Sequence, residues 1–207
     1  MADIAKISNF LTQVEGPRQT VGYIPCFLKS GGSANYKGGA NPEKYTAMGT
    51  SGVTIGTGCD LGQTDISTLK AYGLTDSLLL AILSPYIGLK KTAAIKKLHQ
   101  NPLVISMTNA ENLDHAVHGG YLSRFVRPAY EKKSHAKFDD LPRQAQAVVM
   151  SVCFQKGCGG VARDWPKLWG HLCACNWIGA ANELCNGFTN YLGRRRQEAE
   201  LLEGIAK

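Results

Sequence analysis

The chain begins with a helical pattern of hydrophobic positions. Apolar side chains recur at the three- and four-residue spacing of an amphipathic helix at Ile4, Ile7, Phe10, Leu11 and Val14. Gly16-Pro17 follows directly, and this pair is typical of a helix end. The pattern therefore predicts a helix over residues 3–15 whose last residue is Glu15.

Residues 16–63 have a different amino-acid composition. Gly, Ser, Asn and Tyr dominate there and long aliphatic side chains are few, which indicates loops in place of helices. Alternating β-branched residues and glycines predict short strands near residues 21–25 and 51–57. Because a long segment without helix is more often functional than idle, we expect a β-rich lobe here that contributes to a functional site.

From residue 64 to the end the pattern is helical again. Thr64-Asp65 and Thr75-Asp76 are typical starts of helices that end near Tyr72 and Ser84. Further helices are predicted over residues 89–99, 108–117, 119–132, 141–157, 163–174, 176–185 and 190–205. The segment 141–157 is strongly apolar, so we expect it to be the central core helix.

These elements predict an α+β fold with a mostly helical body. We expect one domain over residues 1–207, with the β-rich lobe at residues 16–63 inserted after the first helix. The helical lobe, residues 64–207, is expected to pack with helix 3–15. A length of 207 residues and an apolar content of 44% suit such a domain with a proper core.

The net charge narrows the choice of partner. A formal charge of +7 favours an anionic partner: nucleic acid, an acidic membrane face or an acidic cell-wall polymer. The basic residues form small separate clusters without interleaved aromatics, which argues against nucleic acid. No stretch approaches the roughly 20 apolar residues of a membrane span, and the N-terminus lacks the pattern of a signal peptide. We therefore expect a protein that is made in a cytoplasm and is not inserted in a membrane. If it acts outside the cell, something else must release or deliver it. We also expect it to be a monomer.

The seven cysteines are an odd number, which is unusual for a disulfide framework. Five of them lie between Cys153 and Cys185, with His171 among them. Cys173 and Cys175 are separated by one residue, whereas structural zinc favours two to four intervening residues. We expect free thiols, no metal and no cofactor; a zinc site and one or more disulfides are the alternatives.

Segment 51–63 carries the candidate chemistry. Its sequence, SGVTIGTGCDLGQ, predicts a strand that turns through Gly56 and Gly58 and brings Thr54 towards Asp60. Glycoside hydrolysis needs two carboxyl groups, and Glu15 could supply the second. A carboxylate at a helix C-terminus opposes the helix dipole, which indicates a role for Glu15 other than stability.

Each of these residues has a chemical role in such a reaction. Glu15 would protonate the leaving oxygen if partial burial keeps its carboxyl protonated. Asp60 would activate water or stabilise the transition state, and Thr54 would hold that water; Glu43 is the alternative second carboxylate. An acid, a base and a positioned water describe an inverting reaction, with carboxyls roughly 6.5–9.5 Å apart. Sugar rings could stack on the tyrosines of the lobe: Tyr23, Tyr36 and Tyr45.

Four stretches in chain order resemble the pesticin-type muramidases, a branch of the phage-lysozyme-like glycosidases. The stretches are Glu15-Gly16 followed by Gly22-Tyr23-Ile24-Pro25, then SGVTIGTGCDLGQ, then QAQAVVMSVCFQKG at residues 144–157, and GRRRQEAEL at residues 193–201. The order Glu15, Thr54, Asp60 is that of the pesticin-type branch. Gln155 departs from the pattern, because the related helix usually has Asn at this place.

The resemblance implies a muramidase that cleaves the β-1,4 bond between N-acetylmuramic acid and N-acetylglucosamine, either as a phage endolysin or as a delivered antibacterial lysozyme. It implies Glu15, Thr54 and Asp60 as catalytic residues and places Gln63 and Gln155 among the candidate substrate contacts. It also implies that Arg194, the first arginine of the C-terminal motif, looks toward the catalytic glutamate. Because successive helical residues turn by about 100°, we expect one of the three adjacent arginines to point inward and the others to be solvated. A chitinase on the same scaffold and a glycan-binding module without activity are the alternatives.

Overall fold

The computed structural model describes residues 2–205, and most of these residues are helical. The helices are α1 (Ile4–Glu15), α2 (Ile66–Ala71), α3 (Ser77–Leu83), α4 (Lys91–Gln100), α5 (Met107–Tyr121), α6 (Arg127–Lys133), α7 (Arg143–Lys156), α8 (Cys158–Asp164), α9 (Pro166–Cys173), α10 (Trp177–Asn186) and α11 (Leu192–Glu203). The strands are β1 (Gln19–Leu28), β2 (Ser33–Tyr36), β3 (Tyr45–Ala47), β4 (Thr54–Gly56) and β5 (Cys59–Asp60). Short 3-10 turns cover Pro42–Lys44, Leu61–Gln63, Ser84–Tyr86 and Phe138–Asp140, and Leu122–Val126 forms a π-helical turn.

The predicted α+β fold is confirmed, and local signals placed several element ends correctly. The first helix ends at Glu15. Asp65 caps α2 by accepting a hydrogen bond from the backbone N–H of Thr68 at 2.7 Å, and Asp76 caps α3 in the same way through Leu78 and Leu79. These ends depend on residues close in sequence, which is why the pattern located them.

Other predicted elements differ from the observed ones. The strand near residues 21–25 extends over Gln19–Leu28, and β2, β3 and β5 were not predicted. Helix α5 continues to Tyr121, through the break that we expected near residue 118, and α8 was not predicted. Strands this short carry too few residues for a clear alternation, and their pairing depends on distant partners.

The five strands form one antiparallel sheet in the order β2-β1-β4-β5, with β3 paired to the end of β1. Ile55 lies opposite Cys59 across the β4–β5 hairpin, and both side chains are buried in the core together with Ile24 of β1. The pairing of β1 with β4 is irregular between Gln19 and Tyr23. One face of the sheet is therefore apolar, and the opposite face carries polar residues.

Residue contacts divide the chain into two compact units. Of the described residues, those up to Val14 and from His118 onward form the helical unit, and Glu15–Val117 form the sheet unit. In the helical unit, every residue of α7 from Ala145 to Cys153 is buried, which confirms the expected central helix. Among the helices of residues 2–205, none combines the length and apolar character that crossing a bilayer requires.

The boundary of the sheet unit differs from the expected lobe at residues 16–63. Leucines of α2 and α3, such as Leu69, Leu79 and Leu83, are fully buried in the same core as the apolar face of the sheet. Residues 64–117 therefore belong with the sheet and not with the later helices. Composition suggested a division at residue 63 because the composition changes where the strands end. The sheet unit extends further, because it includes the helices that pack against those strands.

Candidate active site

Three polar residues stand side by side on one face of the sheet. Tyr23 of β1 is paired with Thr54 of β4, and Thr54 is paired with Asp60 of β5. Directly opposite residues of antiparallel strands project to the same face, with Cβ atoms about 5 Å apart. The register therefore aligns a phenol, a hydroxyl and a carboxylate in a row across three strands, which we call the polar row.

Backbone amides hold the carboxylate of Asp60. Its Oδ1 accepts hydrogen bonds from the N–H groups of Gly62 at 2.8 Å and Gly52 at 3.1 Å, so the side chain also caps the 3-10 turn that follows β5. A Cβ on Gly52 or on Gly62 would lie 2.5 Å from the carbonyl oxygen of Leu89. The two glycines thus allow the close approach of three backbone segments that fixes the position of Asp60.

Glu15 is the last residue of α1, and its negative charge affects the pKa of Tyr23 in the polar row. Burial raises the pKa of Tyr23 above its ordinary value, and the negative charges of Glu15 and Asp60 raise that pKa further. Both carboxylates therefore act on the same phenol. Glu15 itself is exposed, so the partial burial that was the condition for its role as the acid is not observed.

The other two tyrosines of the lobe differ from the expectation that they stack on sugars. Tyr36 is 1% exposed, its hydroxyl donates to the carbonyl of Ala40, and its ring packs on Tyr45 at 4.8 Å between centroids. A ring buried in this way cannot stack on a sugar, so the prediction for Tyr36 was wrong. Tyr45 lines a separate cleft of about 560 Å³ together with Glu43.

Glu43 lies far from the polar row. It precedes Tyr45, which pairs with Leu28, five residues beyond Tyr23 along β1. At about 3.3 Å per residue this separates the two places by roughly 16 Å. Asp60 is therefore the better placed of the two candidates for the second carboxylate.

The two candidate glutamines occupy different units. Gln63 is exposed, and its amide donates to the carbonyl oxygen of Thr50 at 2.8 Å. Gln155 belongs to the helical unit, where its Oε1 accepts a hydrogen bond from Arg195 at 2.6 Å and it lines a cleft of about 490 Å³ with Trp165. Their roles as substrate contacts remain predictions.

The C-terminal arginines differ from the expectation that one is inward and two are solvated. Arg194 and Arg195 are both buried, and only Arg196 is exposed. Arg194 donates to Glu198 and to the carbonyl oxygen of Ser151, while Arg195 donates to Glu198 at 3.0 Å. Burial raises the pKa of Glu198, and the two guanidinium groups oppose that rise. Two arginines can be buried because one carboxylate pairs with both, whereas the predicted link from Arg194 to Glu15 stays a prediction.

Asp114 is a residue of this unit that sequence reasoning missed. It lies on α5, is 1% exposed, and accepts hydrogen bonds from Thr57 and Arg18. A signal was present, because Asp114 occupies the apolar side of its helix with Ala110 and Leu113. A carboxylate at such a position needs partners, but the pattern does not say which residues supply them.

The seven cysteines, all within the described residues, are free thiols. Burial raises the pKa of Cys59 to about 12, and the charges of Asp114 and Asp60 add to that rise. Within residues 2–205, no three side chains of His, Cys, Asp or Glu come together in a way that could hold a metal ion.

Comparison with known families matches residues 6–178 to a family described as "Pesticin: Bacterial toxin homologue of phage lysozyme, C-term". The match covers well over half of the chain and includes the polar row, Asp114 and Gln155. No curated protein gave a match. The predicted resemblance is thereby confirmed, and the family indicates a muramidase type of activity on peptidoglycan.

Proposed function

Since the chain belongs to the pesticin family of phage-lysozyme homologues, we propose that it is a muramidase. The bond cleaved is the β-1,4 linkage between N-acetylmuramic acid and N-acetylglucosamine in peptidoglycan. The observation that carries this proposal is the polar row, with Glu15 in the same compact unit. Glu15 and Asp60 would supply the two carboxyl groups of glycoside hydrolysis, and Thr54 the hydroxyl that holds the water.

The roles follow from the surroundings of each group. Two backbone N–H donors fix the carboxylate of Asp60 in place, and we propose that it serves as the base or the charge stabiliser. Thr54 lies next to Asp60 on the same face, so its hydroxyl and the carboxylate can hold one water between them. We assign protonation of the leaving oxygen to Glu15, the other carboxylate of the proposed site.

Attack by a water held at Asp60 on the sugar face opposite Glu15 inverts the anomeric carbon. Tyr23 lies in the same row, next to Thr54. We propose that its ring contacts the sugar while its phenol remains neutral under the working conditions, because its raised pKa disfavours ionisation.

The charge of the protein suits a cell-wall substrate. The net charge of +7 favours association with an anionic wall before cleavage. We propose that the enzyme acts as a monomer on the bacterial wall after release or delivery, either as an endolysin or as an antibacterial toxin. Adding the protein to intact and to outer-membrane-permeabilised cells measures whether the wall must first be made accessible.

The test is digestion of purified peptidoglycan followed by mass analysis of the fragments. A muramidase leaves N-acetylmuramic acid at the new reducing end, and proton NMR of the first product reports an inverted anomer. Reducing ends at N-acetylglucosamine, or peptide bonds cut without new reducing ends, would refute the proposal. Faster digestion of chitin would indicate a chitinase, and wall binding without cleavage would indicate a glycan-binding module.

A further inference from the structure

The best-connected buried charge of the sheet unit is the carboxylate of Asp114. Its Oδ1 accepts the backbone N–H of Thr57 at 2.7 Å. Its Oδ2 accepts both the hydroxyl of Thr57 and the Nε of Arg18, each at 2.7 Å. Arg18 also reaches Glu111 on the same helix at 3.0 Å. A buried carboxylate is costly unless it is paired, and Asp114 has three donors around it.

The two partners of Asp114 come from the two halves of the proposed catalytic site. Arg18 follows Glu15 by three residues, at the point where the chain leaves α1 and enters β1. Thr57 is in the turn of the β4–β5 hairpin, three residues after Thr54 and three before Asp60. A single oxygen, Oδ2, thus joins the segment that carries the acid to the hairpin that carries the base.

The strand ladder between these two segments is interrupted. Between Gln19 and Tyr23 the pairing of β1 with β4 is irregular, so the ladder is interrupted on the side where the chain arrives from Glu15. Gln19 and Gly56 form the last register pair, and they are the direct neighbours of Arg18 and Thr57. The contacts of Asp114 therefore reinforce the end of the ladder that lies beyond the irregularity.

The turn is shaped for this carboxylate. Gly56 has a φ of +62°, and a Cβ there would collide with Oδ1 of Asp114. Glycine is required both for the backbone conformation and for the close approach of the carboxylate.

We propose that Asp114 is a positioning residue, which through Arg18 and Thr57 fixes the spacing between Glu15 and the Thr54–Asp60 pair. The inference rests on the proposed glycosidase function of these three residues. Misplacement of a reacting group by about 1 Å can cost 10²-fold in rate. Loss of the link should therefore lower the rate of the chemical step and leave the affinity for substrate largely unchanged.

The experiment measures kcat and KM on a soluble peptidoglycan oligosaccharide for variants that remove one side-chain donor from each half of the link. Thr57→Val removes the hydroxyl donor and keeps the volume, and Arg18→Met removes the donor on the side of Glu15. We expect each to lower kcat about 10- to 100-fold with KM changed less than about twofold. Thr57→Ser, which keeps the hydroxyl, should retain most of the wild-type kcat.

Two comparisons separate positioning from stability. Because both bonds end on the same oxygen, the double variant should lose little more than the worse single variant. Leu113→Ala creates a cavity at the neighbouring buried position and should lower Tm without a comparable loss of kcat at 25 °C.

Equal kcat for Thr57→Val and Thr57→Ser would overturn the positioning role, and so would a kcat that simply follows Tm across all variants. An inactive wild type would instead refute the proposed function, and the positioning role with it. The wild-type assay is therefore run first, so that the two failures are told apart.

Discussion

Thr54 lies directly opposite Asp60 in the ladder between β4 and β5, so the hydroxyl and the carboxylate project from the same face of the sheet. The pair is set by a tight turn through Gly56 and Gly58, both with positive φ. Because the turn is short, the relative placement of the two groups is a property of the hairpin itself. Glu15 arrives from another element, and its placement depends on tertiary contacts.

Glu15→Gln should abolish cleavage of the wall while the protein stays folded. The amide keeps the size of the side chain but cannot donate the proton that the leaving oxygen needs, so the loss should be at least about 10²-fold. Glu43→Gln is the matched control, because Glu43 is an exposed carboxylate of the same unit away from the polar row. Release of dye-labelled wall fragments measures both. Near-normal activity of the Glu15 variant would contradict its role as the acid.

Asp60→Asn should cost more activity than Thr54→Ala. The amide loses the charge on which the water or the transition state depends, whereas the remaining Asp60 carboxylate can still hold a water in the Thr54 variant. Thr54→Ser should keep most of the wild-type rate, because serine retains the hydroxyl. Initial rates on one peptidoglycan preparation rank the three variants. A larger loss in Glu43→Gln than in Asp60→Asn would mean that the second carboxylate has been misassigned.

Gly62→Ala should destabilise the protein and lower its activity. The new Cβ would lie 2.5 Å from the Leu89 carbonyl oxygen and 3.1 Å from Oδ1 of Asp60. Overpacking of this kind costs typically about 1–3 kcal/mol and should displace the Asp60 carboxylate. Gly170→Ala on α9, where a Cβ meets nothing within 4 Å, should be neutral or stabilising. Urea unfolding measures both variants, and equal free energies of unfolding would contradict the close approach.

The phenol of Tyr23 should titrate above its ordinary value of 10.0, and its pKa should fall in Glu15→Gln and in Asp60→Asn. A raised pKa means that the folded state favours the neutral phenol. Its contribution to stability is therefore full below pH 10 and is lost as the pH rises through the folded pKa. NMR of ¹³Cζ-labelled tyrosine follows each ring. Tyr36, whose pKa is raised mainly by burial, is the control that should not respond to either substitution.

The cysteines should differ sharply in reactivity, and none should hold zinc. Cys185 is exposed and should react first with a thiol reagent at pH 8, whereas Cys59, buried with a pKa of about 12, should react only after unfolding. Mass spectrometry of partly modified protein identifies the order. Metal analysis should find less than one zinc per chain, and chelators should leave activity unchanged. Stoichiometric zinc would contradict this prediction.

The sequence by itself determined the features that depend on near neighbours. The end of α1 at Glu15, the caps at Asp65 and Asp76 and the buried helix α7 were all predicted from windows of a few residues. The turn between Thr54 and Asp60 was predicted from Gly56 and Gly58. Such features are local because hydrogen bonds within a helix or a tight turn join residues three to five positions apart.

The tertiary structure alone decided which of these residues meet. Tyr23 joins Thr54 and Asp60 through strand register, and a shift of one residue would turn its ring to the other face. Asp114 lies 57 positions from Thr57 and 96 from Arg18, so no local pattern could pair them. Arg194 and Arg195 also bond Ser151 and Gln155 of α7, and Tyr36 of β2 packs under Tyr45 of β3, so these burials likewise depend on partners from other elements. Hydrophobic periodicity shows which positions are buried, but the partner of a buried polar group is set by packing between segments that the chain brings together only on folding.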